Sequence, residues 1–316
     1  MTIKLDPVKD ITLKPGATVD DIVRDLMHSG GFVGRTLAEA TDILTDMSKK
    51  KGCVKFLSFP AAPVATGLRG VLKEIVSRKL VDVIITASGT LDHDLARCWG
   101  DYYKGSFTLD DADLHRRGFH RLGSVLVPKD SYGPMLETKI QEILTRMYNE
   151  GVRELSSAEL SSQLGIYVRN KSSILYWASK NKIPVIVPGI TDGAVGNQIW
   201  LFSQRHRDFK LNILKDEDLL SDIVFSAKKT GALMIGGGIS KHHTMWWNQF
   251  RGGLDYAVYV TTASEYDGSL SGAPIREAIS WGKVNAKAKT VTVYGDATAL
   301  LPFIIVSTLE RLEQPS

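Results

Sequence analysis

Between Thr230 and Ala299 the chain reads TGALMIGGGISKHH (230–243), LDYAVYVTTASEYDGSLSGAPIREAISWGKV (254–284) and TVTVYGDATA (290–299). Three short runs in it, 232–235, 256–261 and 290–294, are rich in Val, Ile, Tyr and Thr. They are too short for buried helices, and their near-continuous apolar character predicts strands covered on both faces, as in a parallel sheet. Each run ends in glycine or small polar residues, and in an open α/β sheet that carboxyl edge is where ligands sit. The pattern recurs upstream. Residues 54–59 and 81–85 read as strands around a helical stretch, 67–79, with Leu68, Val71, Leu72 and Ile75 on one face. A strand–helix–strand order predicts a right-handed crossover. The expected fold class is α/β: a mostly parallel, doubly wound, Rossmann-like sheet with helices on both faces. It is expected to fill residues 1–316 as a single large domain with small antiparallel excursions.

Around that sheet, residues 1–50 read as a helical N-terminal lead-in. Residues 1–16 are extended, then 19–27 and 36–47 are amphipathic, with Thr18 as a helix cap and Asp20 and Asp21 in the first turn. Pro60 and Pro63 predict a loop after the first strand. Residues 99–128 are rich in turns and aromatics and read as small antiparallel strands at a subunit contact. Their basic cluster, His115, Arg116, Arg117, His120 and Arg121, fits a solvated loop, or a patch for an acidic partner. Helices are expected at 136–147, 157–164, 172–180 and 219–228, a further strand at 183–187, and an apolar run at 198–204.

Hydrophobic residues make up 43% and charged residues 23%, as in ordinary globular chains. A net charge of +4, dispersed over 39 basic and 35 acidic residues, argues against a nucleic-acid partner. No apolar run approaches the roughly 20 residues of a membrane span. The start, MTIKLDPVKD, is no signal peptide. Cys53 and Cys98 fit a reducing, cytoplasmic setting, and no Cys/His set has metal spacing.

Several residues stand out as chemistry. Gly236, Gly237 and Gly238 permit a tight turn and close approach to a phosphate, or form a plain strand-to-helix turn. His242 can shuttle protons near neutrality. Lys241 and His243 read better as a solvated basic helix start. Glu265, Asp267, Gly268, Ser269 and Ser271 suit a cationic ligand, although Asp267-Gly268 is also an ordinary turn. Glu277 and Trp281, four apart, share a helical face, and Gly282 ends that helix. Lys283 then reads either as a surface cation or as a nucleophilic amine, which needs desolvation or a nearby cation.

GGGISKHH, LDYAVYVTTASEYDGSLSGA, EAISWGK and YGDA, with TDGAVGN (191–197), TASG (86–89) and GLRG (67–70), resemble the motifs of the deoxyhypusine synthase family in order and spacing. The resemblance runs from about residue 30 to 312, and the departures below set it with the family's archaeal branch. It implies a transferase that uses NAD to dehydrogenate spermidine and captures the imine on an active-site lysine, releasing 1,3-diaminopropane. The aminobutyl group then passes to one lysine of the translation initiation factor 5A precursor. It further implies a homotetramer with sites at subunit interfaces; in some members an N-terminal arm caps a neighbour's site.

By residue, the resemblance makes Lys283 the nucleophile and His242 a proton carrier near the polyamine. It assigns Glu277, Trp281, Gly268 and Ser269 to the polyamine pocket. Thr86, Ala87, Ser88, Asp192, Gly237, Thr262, Ala263, Asp296 and Ala297 match positions that hold NAD. Asn197, and the pair Asp92 and His93, stand where many relatives carry acids toward the polyamine. Relatives also carry an acid in place of Leu270 and an Asn in place of Trp246, and the 60–65 loop lacks their Ser and Asn. The missing acids leave other donors open, agmatine among them. Two rival readings remain: a homospermidine synthase-like transferase to a small amine, and a non-catalytic NAD-binding paralogue.

Overall fold

The computed structural model describes residues 5–314. Its strands, in chain order, are β1 (Cys53–Phe59), β2 (Val83–Thr86), β3 (Tyr103–Lys104), β4 (Phe119–Leu122), β5 (Val125–Pro128), β6 (Glu154–Leu155), β7 (Val185–Ile186), β8 (Lys210–Leu211), β9 (Lys229–Ile235), β10 (Leu254–Thr261) and β11 (Val284–Tyr294). Six of them form the main sheet in the order β11-β10-β9-β1-β2-β7, every pairing parallel. Counted among themselves, these strands run 3-2-1-4-5-6, the order of dinucleotide-binding folds. The expected parallel, doubly wound sheet is therefore what the chain forms. The excursion at 99–128 holds the small antiparallel sheet β3-β5-β4, together with a short helix, Asp111–Arg116, absent from the sequence reading.

Both faces of the sheet are buried, for a reason visible in strand periodicity: alternate side chains point to opposite faces. Leu57, Phe59, Ile84, Leu233, Ile235, Val258 and Val260 join one apolar cluster. Their neighbours Phe56, Val83, Ile85, Ala232, Met234, Ala257 and Tyr259 join the other. The first face receives helices Phe32–Lys49, Arg69–Ser77 and Ala297–Glu313; the second receives Leu214–Ser226 and Ile239–Gln249. Among the described residues no helix is long and apolar enough to cross a membrane.

The first helix, Val19–His28, opens on a capping box in which Thr18 and Asp21 satisfy each other's backbone N–H. Its Asp20 is buried and tied to the last helix: Ser307 Oγ donates to it at 2.8 Å, Arg311 Nε donates as well, and Arg24 Nε adds a third bond at 2.7 Å.

Boundaries differ from expectation where tertiary packing overrides local pattern. The second helix starts at Phe32, ahead of the expected 36. The proline loop after β1 contains a helical turn, Ala62–Ala65, with proline in its first turn, where the missing N–H costs nothing. The stretch after TASG is the helix Ser88–Trp99, and the apolar run at 198–204 belongs to the helix Ala194–Arg205. β11 begins at Val284 rather than 290, because Val284 already pairs with Leu254 before a register shift.

Helices Ser157–Val168 and Ile174–Asn181 cross with Gly165 at the contact, where an added Cβ would lie 2.2 Å from the Leu175 carbonyl oxygen. Gly165→Ala is expected to lower stability by about 1–3 kcal/mol, the usual cost of overpacking. A fall in the urea midpoint at unchanged slope would measure it.

Candidate active site

Strand order reverses between β1 and β9, so the helices that follow them diverge to opposite faces and leave a crevice at the carboxyl edge. The loops there close into a rim. Gly295 N–H donates to the Thr261 carbonyl at 2.8 Å, and Gly236 N–H to the Val260 carbonyl at 2.8 Å. A Cβ on Gly236 would touch Pro60 at 3.3 Å, and one on Gly89 would meet Ala61 Cβ at 2.8 Å. Thr86 Oγ1 donates to the Phe59 carbonyl at 2.6 Å. These contacts link the ends of β11, β10, β9, β1 and β2 through backbone or small side chains, which is why this edge needs Gly and Ala.

At the β2–β7 end, Ser88 Oγ donates to the Ile190 carbonyl at 2.7 Å. Gly193 is pressed against Ser88 and Asp92; a Cβ there would lie 2.4 Å from Ser88 Oγ. Asp92 is buried, and its carboxylate accepts from Ala194 N–H, Val195 N–H and Tyr132 Oη, each at 2.8 Å. Burial pushes its pKa up, with the charge of Asp192 adding to the rise and the three hydrogen bonds opposing it. This carboxylate caps the helix Ala194–Arg205. His93 is also buried, with Nδ1 2.9 Å from Tyr102 Oη; burial first, and then the Arg97 charge, push its pKa down to about 4. Asp192 and Asn197 stay exposed beside them.

At the other end, a Cβ on Gly237 would lie 2.4 Å from Ser271 Cα, so the glycine turn and the 269–273 turn touch through their backbones. Ala263 N–H donates to Thr261 Oγ1 at 3.1 Å. Of the acids noted in the sequence, Glu265 is taken by Arg276 at 2.8 Å, and Asp267 accepts from Ser269 N–H at 2.7 Å. Asp296 caps the last helix through Thr298 N–H at 2.9 Å. With Ala297 it lines a cavity of about 660 Å³ whose far walls are Thr66, Arg97, Lys104 and Phe107.

His242 sits in the first turn of the helix Ile239–Gln249 and stacks on Trp246, rings 5.9 Å apart and 22° from parallel. Its pKa is pushed down, by burial first and then by the Lys283 charge. Lys283 Nζ lies 5.2 Å from the Trp281 ring centroid. The helix expected to pair Glu277 with Trp281 is one turn long, Glu277–Ser280, and Gly282 ends it at φ +67°. Lys283 itself is partly buried, Trp281 is 68% exposed, and neither lines the 660 Å³ cavity.

Lys241 departs from its sequence reading. It is 1% exposed, not solvated, and its Nζ donates to the carbonyls of Leu270 and Ala273 at 2.7 Å each. With Thr244, Met245 and Asn248 it forms the buried stripe of this helix, a stripe too polar to read as an apolar period. His243 is also drawn in, 3.2 Å from Glu217, whose other oxygen accepts from Trp247 Nε1 at 2.7 Å. In the 99–128 excursion, Arg116 and Arg117 pair with Asp113 and Arg121 with Asp111, so three of the five clustered basic residues are already compensated.

A doubly wound α/β sheet with a glycine-lined crevice at its strand-order reversal defines the dinucleotide-binding class of architecture. The deoxyhypusine synthase family profile matches residues 21–308. Proteins named "Probable deoxyhypusine synthase" from Thermoplasma volcanium and Picrophilus torridus are 53% and 54% identical, each aligned over 96% of this chain and 97% of its own length. The chain belongs to the deoxyhypusine synthase family and is a transferase. A crystal structure from Entamoeba histolytica named for the same enzyme superposes with a TM-score of 0.67 at 18% identity, over 96% of this chain and 97% of that one. The ternary complex of AgrE with ornithine and NAD+ shares the fold at TM-score 0.54 and 12% identity, over 89% of this chain and 34% of that one.

His93 is neutral in the folded protein and titrates at its ordinary value when unfolded. Above pH 6.5 both states are neutral; below it the unfolded chain takes up a proton that the folded one refuses until about pH 4. Stability therefore falls as pH drops through that window, by on the order of 3 kcal/mol for this group. His93→Gln is expected to flatten the loss by that amount, measured by denaturant titrations from pH 7 to 4.

Proposed function

We propose that this chain transfers the aminobutyl group of spermidine to one lysine of the translation initiation factor 5A precursor, forming deoxyhypusine, with Lys283 as the covalent carrier. The observation that carries the reading is the approach of Lys283 to His242 and Trp281 inside the EAISWGK and GGGISKHH motifs. A primary amine condenses with an imine carbon by addition and loss of the departing amine, so each transfer needs a proton acceptor and donor at the nitrogen. His242 is that group: burial and the Lys283 charge keep its imidazole neutral near pH 7, ready to accept a proton. Trp281 offers a ring face to a cationic chain, and Glu277 a carboxylate. The motif resemblance adds Gly268 and Ser269 to that pocket.

The residues that fit NAD are Thr86, Ala87, Ser88, Asp192, Gly237, Thr262, Ala263, Asp296 and Ala297. All lie at or just beyond the carboxyl ends of strands, where the rim is built of glycine and small side chains. NAD, when bound, takes up and later returns the hydride, so the overall transfer is redox-neutral.

The single chain leaves Trp281, Trp246, Phe250 and Ile279 exposed around Lys283 and His242. Apolar surface of that size beside a site supports its completion by a second copy, and the assembly we infer is a homotetramer. Asp92, whose carboxylate already accepts three hydrogen bonds, and His93, whose Nδ1 pairs with Tyr102, fit a supporting place at the edge of the pocket. Agmatine as donor, and a small amine as acceptor, are the alternatives, since Leu270 and Asn197 add no charge.

Lys283→Arg keeps the charge but removes the amine nucleophile. Transfer is expected to fall by at least about 1,000-fold with NAD affinity within about threefold. The assay is mass spectrometry of the factor precursor after incubation with enzyme, NAD and separate candidate amines. Activity retained in that variant, or no mass gain with any amine on the parent enzyme, would sink the reading.

A further inference from the structure

The segment 262–273 follows β10 and carries the residues placed beside NAD and polyamine above. Apart from the 3-10 turn Glu265–Asp267 it has no regular structure, so something other than secondary structure must hold it. Three carbonyls of its final turn are held by three side chains from outside it. Lys241 Nζ donates to Leu270 and Ala273 at 2.7 Å each. Tyr259 Oη and Thr261 Oγ1 both donate to Ser271, at 2.6 and 2.9 Å. Lys241 Nζ also lies 3.7 Å from the centroid of the Tyr259 ring, so helix and strand grip the turn together. The turn cannot drift inward: Ser271 rests on Gly237, and a Cβ on Gly272 would lie 2.0 Å from the Ser264 carbonyl oxygen.

A buried ammonium is costly. Taking its charge out of water without a bonded carboxylate costs several kcal/mol, and a methionine of similar length would pack there without that cost. Among its hydrogen bonds, Lys241 has carbonyl oxygens only. Burial pulls its pKa down to about 8, opposed by the charge of Glu277, the polyamine-pocket carboxylate. The neutral amine still has two N–H groups, enough for both carbonyls, so the grip outlasts deprotonation.

We propose that Lys241 is a positioning residue: it fixes the 269–273 turn, and through it Gly268 and Ser269, in the place where the polyamine binds, without touching substrate. This rests on the reading of the site given above. It is distinct from a general packing role because its bonds fall on one loop and leave the β9–β1–β2 sheet untouched.

The test uses the full-length chain with Lys241→Met. Hydrogen exchange on the ligand-free protein is expected to speed up at least about tenfold across 262–273, with β1, β2 and β9 unchanged. Spermidine KM is expected to rise at least about tenfold, with kcat and NAD affinity within about threefold. If Lys241→Met does not fold, Tyr259→Phe combined with Thr261→Val removes the two donors to Ser271 and is expected to raise KM by about threefold or more. Unaltered exchange at 262–273 in a folded Lys241→Met protein, or a fall in kcat with KM unchanged, would overturn the proposal. The exchange measurement needs no substrate. A parent enzyme that transfers nothing from spermidine would therefore count against the function while leaving the role of Lys241 to be decided separately.

Discussion

The pairing of β1 with β9 brings together residues 176 positions apart, Cys53 with Lys229 through Ser58 with Met234. All chemistry in this protein depends on it. The sheet strands before β9 build outward on one side of that seam and those after it on the other, so the helices that follow β1 and β9 part there. The backbone then has to pass close above the seam, and side chains larger than Pro, Ala or Gly would block it. Pro60 against Gly236 and Ala61 against Gly89 are the result. The crevice is a consequence of strand order, and the small residues are the condition for keeping it open.

Much of this was legible in the sequence, because short Val/Ile-rich runs ending in glycine carry both the strand and its functional edge. Lys283, His242 and Trp281 were named through motif resemblance; the Lys283 ammonium lies 5.2 Å from the Trp281 ring centroid, and its charge acts on His242. Spacing alone left Lys283 between a surface cation and a nucleophile. Lys241 was misread because a basic residue at a helix start is usually solvated, and the pull of two carbonyls 29 and 32 residues downstream has no local signature. The helix Ser88–Trp99 was missed for a related reason. Leu91, Leu95, Cys98 and Trp99 do recur at helical spacing, but Asp92, His93 and Asp94 are buried among them, and three polar residues in a row read locally as a loop.

Two lysines 42 positions apart thus meet opposite environments. Lys241 is enclosed, bonded to carbonyls and held still. Lys283 has open space beside an exposed indole and a neutral imidazole within range of its charge. A held amine cannot reach a carbon centre, and a free one cannot brace a loop. The two motifs GGGISKHH and EAISWGK each contribute one lysine, and the fold gives the two amines different surroundings.

The buried cluster around Asp20 has a bearing on how the molecule is made. Its carboxylate is answered by Ser307 and Arg311, near the far end of the chain. While the polypeptide is still leaving the ribosome, the first helix has been synthesised but its partner has not. Until the last helix emerges, that acid has only Arg24 to answer it, and the first helix can lean on the second alone. Full docking of the first helix therefore waits on synthesis of the last one, and loss of Arg311 would leave Asp20 buried without its guanidinium partner.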